Sequence, residues 1–144
     1  MNKYRITIFV AASILVILLL ACAPAAKPAP VVTVTCEQFS KTPNIVQDVT
    51  ATVGSTITVT LCSNPTTGFQ WGEKAEISNA QVLKQTSQKM VAPSNTGMAG
   101  APGNQVWTFE ALQAGTSTAS FSYSRPWEGG EKGVETFKLN VTVQ

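Results

Sequence analysis

The sequence predicts an all-β domain, folded as an antiparallel sandwich, and three observations support this. Apolar and polar residues alternate with a period of two over most of the chain after residue 31. The polar partners are mainly threonine and serine, and turns containing glycine separate the alternating runs. This pattern is typical of strands that bury one face and expose the other, as antiparallel sheets do. The strand number and spacing indicate an immunoglobulin-like sandwich.

The predicted strands follow one another along the chain. Alternation covers residues 32–36, and the turn Gly54-Ser55 separates a second run at 49–53 from a third at 57–61. The expected core-facing residues of the later strands are Trp107, Phe109 and Ala111, then Ala119, Phe121 and Tyr123, and finally Phe137, Leu139, Val141 and Val143. Apolar and polar residues alternate less regularly over residues 75–91. We predict a strand over residues 82–89, and a short helix is the alternative.

The N-terminal segment predicts export from the cytoplasm. Residues 2–5 carry two basic side chains, and residues 6–21 are almost wholly apolar, which is the pattern of a secretory signal. The run ends in LLAC at residues 19–22, which resembles a bacterial lipobox with cleavage before Cys22 and a lipid on its thiol. An uncleaved membrane anchor and ordinary secretion are the alternatives.

The chain therefore divides into three predicted parts. Residues 1–21 form a lipoprotein signal peptide, and residues 22–30 form the lipid-attachment cysteine and a tether of proline and alanine that stays extended. Residues 31–144 form one folded domain. We expect it in the cell envelope, attached to the membrane through the lipid anchor and facing outside the cytoplasm.

Composition excludes several functions. The chain has no histidine, which nucleophilic triads need for proton transfer and catalytic zinc sites usually use as a ligand. Without Lys3 and Arg5, eight basic residues are balanced by eight acidic ones, so no positive field attracts nucleic acid. We expect no enzyme activity, no metal, no cofactor and no nucleic-acid partner.

Two cysteines remain besides the one at the predicted lipid site. Cys36 has the parity of the core face, whereas Cys62 has the parity of the polar residues Thr58 and Thr60. A bulge at the strand end would bring the two thiols to one side. A disulfide, which can persist outside the cytoplasm, and two separate buried thiols both remain open.

Three stretches interrupt the alternation. They are NPTTG at residues 64–68, NTGMAGAPG at 95–103 and RPWEGGEKG at 125–133. Each alone favours a turn. Their order is more specific: NPTTG precedes an aromatic-x-Trp, the Gly-rich stretch leads into Trp-Thr-Phe, and Tyr-x-Arg-Pro-Trp follows about sixty residues after the first. From about residue 36 to 143 the chain resembles the chagasin family of cysteine-protease inhibitors.

The resemblance implies a reversible, non-covalent inhibitor whose NPTTG loop enters the catalytic cleft of a papain-like cysteine protease while the other two loops grip the cleft. The implied protease-binding residues are Asn64, Pro65, Thr66, Thr67, Gly68, Phe69, Gly97, Met98, Ala99, Gly100, Arg125, Pro126 and Trp127.

Particular roles follow from the same resemblance. Thr66 and Thr67 would lie against the catalytic cysteine and histidine of the protease, and Gly68 would let the backbone approach closely. Trp127 would be a flat aromatic anchor. Arg125 would contact acidic or carbonyl groups of the protease, or else support its own loop. The GMAGAPG stretch is longer and less glycine-dense than the family pattern, and we expect the inhibitor to be a monomer.

Two alternatives come from other functional classes. A surface carbohydrate-binding or adhesion module would use exposed aromatic residues such as Trp127 as stacking platforms. A structural envelope lipoprotein would need no soluble partner. Stacking platforms do not require NPTTG, whereas insertion into a cleft does, and this favours the inhibitor.

Overall fold

The computed structural model describes residues 28–93 and 100–144. The strands and helix are β1 (Val31–Val34), α1 (Cys36–Lys41), β2 (Asn44–Ala51), β3 (Thr56–Ser63), β4 (Gln70–Trp71), β5 (Glu76–Ile77), β6 (Leu83–Val91), β7 (Gly103–Ala111), β8 (Gly115–Ser124) and β9 (Glu135–Val143), with a 3₁₀ turn at Pro65–Thr67. The predicted signal peptide, Cys22 and most of the tether lie outside the described residues.

The strands form two facing sheets, which confirms the all-β sandwich. One sheet has the order β1-β3-β7-β6, and the other has the order β2-β9-β8-β4, with β5 also paired to β8. The expectation of wholly antiparallel sheets is wrong for two pairs, because β1 runs parallel to β3 and β2 runs parallel to β9. Parallel and antiparallel strands share the period of two, so alternation alone does not distinguish them.

The two parallel pairs follow from α1, which the sequence analysis missed. This helix carries the chain from the edge of one sheet to the edge of the other. Its start is a capping box, in which the Gln38 backbone N–H donates to Thr35 Oγ1 at 3.3 Å and the Thr35 N–H donates to Gln38 Oε1 at 2.8 Å. Phe39, on the inner side of the helix, is buried.

The same helix removes the parity conflict between the cysteines. Cys36 is the first residue of α1 and not the last residue of a strand, so its side chain need not follow the alternation of β1. The structure joins it to Cys62 in β3 by a disulfide that spans 26 residues of sequence. The bridge fastens α1 to the strand that leads into NPTTG.

The core lies between the sheets and is rich in aromatic rings. The Phe121 ring lies 4.9 Å from Trp107, 6.1 Å from Phe109 and 5.7 Å from Phe137, between ring centroids. The core-facing residues expected on the three C-terminal strands are all buried. Residues 82–89 lie mostly in strand β6, as predicted, and not in a helix. Val53 is exposed, because β2 ends at Ala51, before it.

The sandwich has two ends, here called poles, at which different loops connect the strands. Residues 64–69, 92–102 and 125–134 connect strands at one pole, here called the loop pole, and α1 lies there too. At the opposite pole, the Thr58 N–H donates to Pro30 O at 3.0 Å and the Val53 N–H donates to Gln144 O at 3.1 Å.

In the part of the chain that the structure describes, the nine strands and the helix α1 share one core. The part from residue 28 to 144 is therefore a self-contained folding unit. Among the described residues, no helix is long and apolar enough to cross a bilayer.

Candidate functional site

The 64–68 loop is a compact turn held by its own hydrogen bonds. Asn64 Oδ1 accepts from the Thr66 backbone N–H at 3.3 Å and from Thr66 Oγ1 at 2.6 Å. Thr67 Oγ1 donates to Asn64 O at 2.7 Å, and the Gly68 N–H donates to Pro65 O at 3.0 Å. Because both threonine hydroxyl protons are used inside the loop, the two hydroxyl groups can meet a partner only as acceptors, and Thr67 Oγ1 already accepts from the Phe69 N–H at 3.4 Å. Pro65, Thr66 and Thr67 are exposed at its tip.

Gly68 ends the turn in a conformation and a space that suit only glycine. Its φ is 80° and its ψ is −2°, in the left-handed region that other residues rarely adopt. A Cβ built on Gly68 would lie 2.7 Å from Cη2 of Trp127. The indole ring of the 125–133 loop therefore lies directly against the end of the 64–68 loop.

The base of the 64–68 loop is tied to both other loops. The Asn64 backbone N–H donates to Tyr123 Oη at 2.9 Å, and Asn64 Nδ2 donates to Gly100 O at 3.0 Å. The Phe69 ring stacks on Tyr123 with centroids 5.7 Å apart. Gly100 is the only predicted contact residue of the 95–103 loop that the structure describes. Gly97, Met98 and Ala99 lie outside the described residues.

The 125–133 loop is braced from within. The Arg125 guanidinium lies 4.4 Å from the centroid of the Phe69 ring and 5.7 Å from that of Trp127, and it pairs with Glu131 at 3.1 Å. Lys132 Nζ donates to Arg125 O and, at 3.0 Å, to Trp127 O. These contacts favour the alternative that Arg125 supports its own loop.

Two of the exposed residues on this loop are predicted contact residues. The Trp127 side chain is 51% exposed although one part of its ring touches Gly68. Pro126, beside it, is also exposed. The predicted residues of the first and third loops thus form one continuous surface, and whether that surface contacts a protease stays a prediction. Within residues 28–93 and 100–144, no three potential metal ligands come together.

Sequence analysis missed Tyr123 as part of the site. It was expected in the core, and it is buried there, but its phenol oxygen accepts from the backbone of the 64–68 loop. The spacing Tyr-x-Arg was the available signal, because it places the phenol next to Arg125 and therefore near the third loop. Lys132 was missed for a different reason: its contacts with carbonyl oxygens depend on how the loop closes.

The chain is similar to known proteins in sequence and in fold. The family model described as "Chagasin family peptidase inhibitor I42" matches residues 50–141. Chagasin from Trypanosoma cruzi is 33% identical over 93 residues, which cover 62% of this chain and 83% of that protein. Amoebiasin-2 from Entamoeba histolytica (strain ATCC 30459 / HM-1:IMSS / ABRM) is 30% identical over 88 residues, 61% of this chain and 70% of that protein.

A solved structure shares the fold. The crystal structure of the cysteine protease inhibitor EhICP2 from Entamoeba histolytica superposes with a TM-score of 0.62 at 22% identity, covering 85% of this chain and all of that one. The matched range of the family model begins within β2, so β1 and α1 precede it.

Proposed function

The chain belongs to the chagasin family of peptidase inhibitors, and we propose that it inhibits papain-like cysteine proteases reversibly by filling the active-site cleft with its loop pole. The 64–68 loop occupies the centre of the cleft. Trp127 and Pro126 contact one side of the cleft, and the 95–103 loop contacts the other. The chain acts as an inhibitor and not as an enzyme.

One observation carries this assignment: an exposed part of the loop pole is also held in a fixed shape. The tip at Pro65, Thr66 and Thr67 is exposed, while Asn64 holds it through five hydrogen bonds, made by its side chain and its backbone oxygen to the loop and to Gly100. A surface that is already ordered loses little conformational entropy when it docks, which favours tight binding. Trp127 adds a large, half-exposed aromatic face of the kind that dominates interface energies.

The same geometry explains why the loop would resist cleavage. A protease binds its substrate as an extended peptide, whereas residues 64–68 are folded back by the hydrogen bond from the Gly68 N–H to Pro65 O. Opening the turn breaks the hydrogen bonds of Asn64 and separates Gly68 from Trp127. The described residues offer no histidine or free thiol for covalent capture, so occupation of the cleft is the whole mechanism.

We also propose that Cys22 carries a lipid anchor and that the domain acts as a monomer in the cell envelope. The position of Pro30 supports this arrangement, because the described chain begins at the pole opposite the loops. Thr58, whose N–H donates to Pro30 O, lies five residues before Ser63, the last residue of β3. At the usual rise per residue of a strand, Thr58 is about 17 Å from the start of the 64–68 loop. An anchored domain would therefore present its loop pole away from the membrane.

Inhibition kinetics test the proposal. The domain of residues 28–144 is expected to inhibit papain reversibly, to remain uncleaved after long incubation, and to leave trypsin unaffected. Mass spectrometry of the recovered inhibitor checks the second point. An absence of papain inhibition at about micromolar concentration, which corresponds to about 8 kcal/mol of binding free energy, would reject it.

A further inference from the structure

A hollow of about 370 Å³ lies beside the 64–68 loop, on the side away from Gly100. One wall belongs to the loop itself, through Thr67 and Phe69. The facing wall is Ser40 of α1 together with the Cys36–Cys62 disulfide. This side hollow opens at the loop pole, because every element that lines it ends or begins there.

A single carboxylate lies in this hollow. Glu135 is the first residue of β9 and shares the core-facing parity of Phe137, opposite Tyr123 in β8. It is half-buried, and this burial raises the pKa of its carboxyl group. Among the described residues, Glu135 makes no ion pair. An acidic side chain at a core-facing position has a desolvation cost that no partner here offsets.

Three basic side chains at the loop pole are already engaged. Arg125 pairs with Glu131, and Lys132 donates to two backbone carbonyls of its own loop. On α1, Lys41 pairs with Glu37. The hollow therefore presents a net negative group with aromatic and apolar surroundings.

We propose that the side hollow receives a basic side chain of the bound protease, arginine or lysine, and that Glu135 is its counter-ion. This inference rests on the proposed function. A basic side chain fits both features of the site, since its aliphatic stem packs on the apolar lining of the hollow while its N–H groups donate to the carboxylate. The contact lies beside the cleft and governs which proteases bind well.

Part of the wall of the hollow lies ahead of the range that the family model matches. That range begins at residue 50, and Ser40 and Cys36, which line the hollow, precede it. The 64–68 loop, in contrast, lies inside the matched range. Inhibition itself depends on the shared loops, and selection among proteases depends on the hollow.

A binding experiment tests the hollow without any protease. The domain is titrated with N-acetyl-L-arginine methylamide and with its uncharged isostere N-acetyl-L-citrulline methylamide, followed by two-dimensional NMR. The arginine amide is expected to shift the signals of Ser40, Phe69 and Val134 in the wild type. Glu135→Gln, which keeps the side-chain shape, is expected to abolish those shifts. Two results would overturn the site. One is that the signals do not move at about 100 mM amide, because a dissociation constant above that concentration is far too weak for any useful contact. The other is that both amides cause equal shifts.

An inhibition experiment tests the link to the protease. Glu135→Gln is expected to raise the Ki for papain about fivefold, the upper range for a partly exposed ion pair. The matched control Glu110→Gln removes an exposed carboxylate opposite Thr56, far from the loop pole, and is expected to leave Ki unchanged. Equal Ki values for the wild type and Glu135→Gln would overturn the contact. If the wild type itself did not inhibit papain, the proposed function would fail, while the amide titration would still report on the hollow.

Discussion

Replacing Gly68 by alanine, compared with a control substitution, distinguishes the effect of the backbone conformation of the 64–68 loop from the effect of its contact with Trp127. The substitution has two effects, because the φ of 80° disfavours any side chain and the new Cβ would lie 2.7 Å from Trp127 Cη2. Gly54 offers a matched control. Its φ is 79°, a Cβ there would meet no atom within 4 Å, and it lies at the opposite pole, where its N–H binds Ala111 O.

The two variants should lose similar stability for the shared reason. A left-handed conformation costs a residue other than glycine about 1–2 kcal/mol, or about 4–8 °C in the Tm of a domain of this size. Gly68→Ala must also displace the indole ring of Trp127. That ring is half-exposed and can swing outward, so this displacement adds little to the loss of stability.

Inhibition should distinguish the variants. A misplaced Trp127 loses an anchor contact of about 2 kcal/mol, so Gly68→Ala should raise the Ki for papain about thirtyfold, and Gly54→Ala should not change it. Thermal melts and Ki values for both variants, and for Gly68→Ala combined with Trp127→Ala, complete the experiment. The double variant should inhibit no worse than Trp127→Ala alone, since the two changes remove the same contact. A folded Gly68→Ala domain with the wild-type Ki would refute this account of the site.

Three further outcomes are expected. Phe121→Ala, in the aromatic core, should cost about 3–5 kcal/mol in denaturant unfolding through the cavity it leaves, yet the protein that stays folded should keep its Ki; a raised Ki would show that core and site are not separable. Cys36→Ser or Cys62→Ser should lower the unfolding free energy by about 3.5 kcal/mol on the chain-entropy model for this loop; two thiols alkylated without reductant in the wild type would contradict the bridge. Burial raises the pKa of Glu135 above 4.5 in the folded state. The protonated carboxyl group therefore stabilises the folded state below pH 4.5, and this contribution to stability is lost as pH rises through the raised pKa. The Tm advantage of Glu135→Gln should accordingly be greatest near about pH 7 and vanish below about pH 4.5, and an advantage independent of pH would mean that burial of the charge is not its cause.

The sequence was sufficient for those parts of the fold that alternation encodes. Each of the three C-terminal strands buries one face against the other sheet, so Phe109, Phe121 and Leu139 could be assigned to the core from parity alone. Alternation does not report strand direction, and the parallel pairings of β1 with β3 and of β2 with β9 were therefore missed. The helix between them had a local signal, the capping box at Thr35 and Gln38, but it is too short to show apolar periodicity.

The candidate site could be predicted from the sequence to a similar extent. The NPTTG and RPW stretches located two loops, whereas the left-handed backbone conformation of Gly68 is seen only in the structure. The contact between Gly68 and Trp127 joins residues about sixty positions apart, and no local pattern specifies it. Glu135 was missed for a similar reason: as a polar residue at a strand start it looks like an exposed one, and the hollow that it lines forms only when α1, β3 and β8 come together.

The Cys36–Cys62 bridge also has a mechanical consequence. Without it, the backbone that links Val31 to Asn64 passes through the whole of α1, β2 and β3. With it, the covalent path from Val31 runs through β1 to Cys36, crosses to Cys62 and reaches Asn64 two residues later. A protease bound at the loop pole and dragged by flow would pull against whatever holds the chain ahead of Val31. The part of that force that enters at Asn64 would pass along the covalent chain of β1 and through the disulfide, so it would not load the hydrogen bonds between β1 and β3.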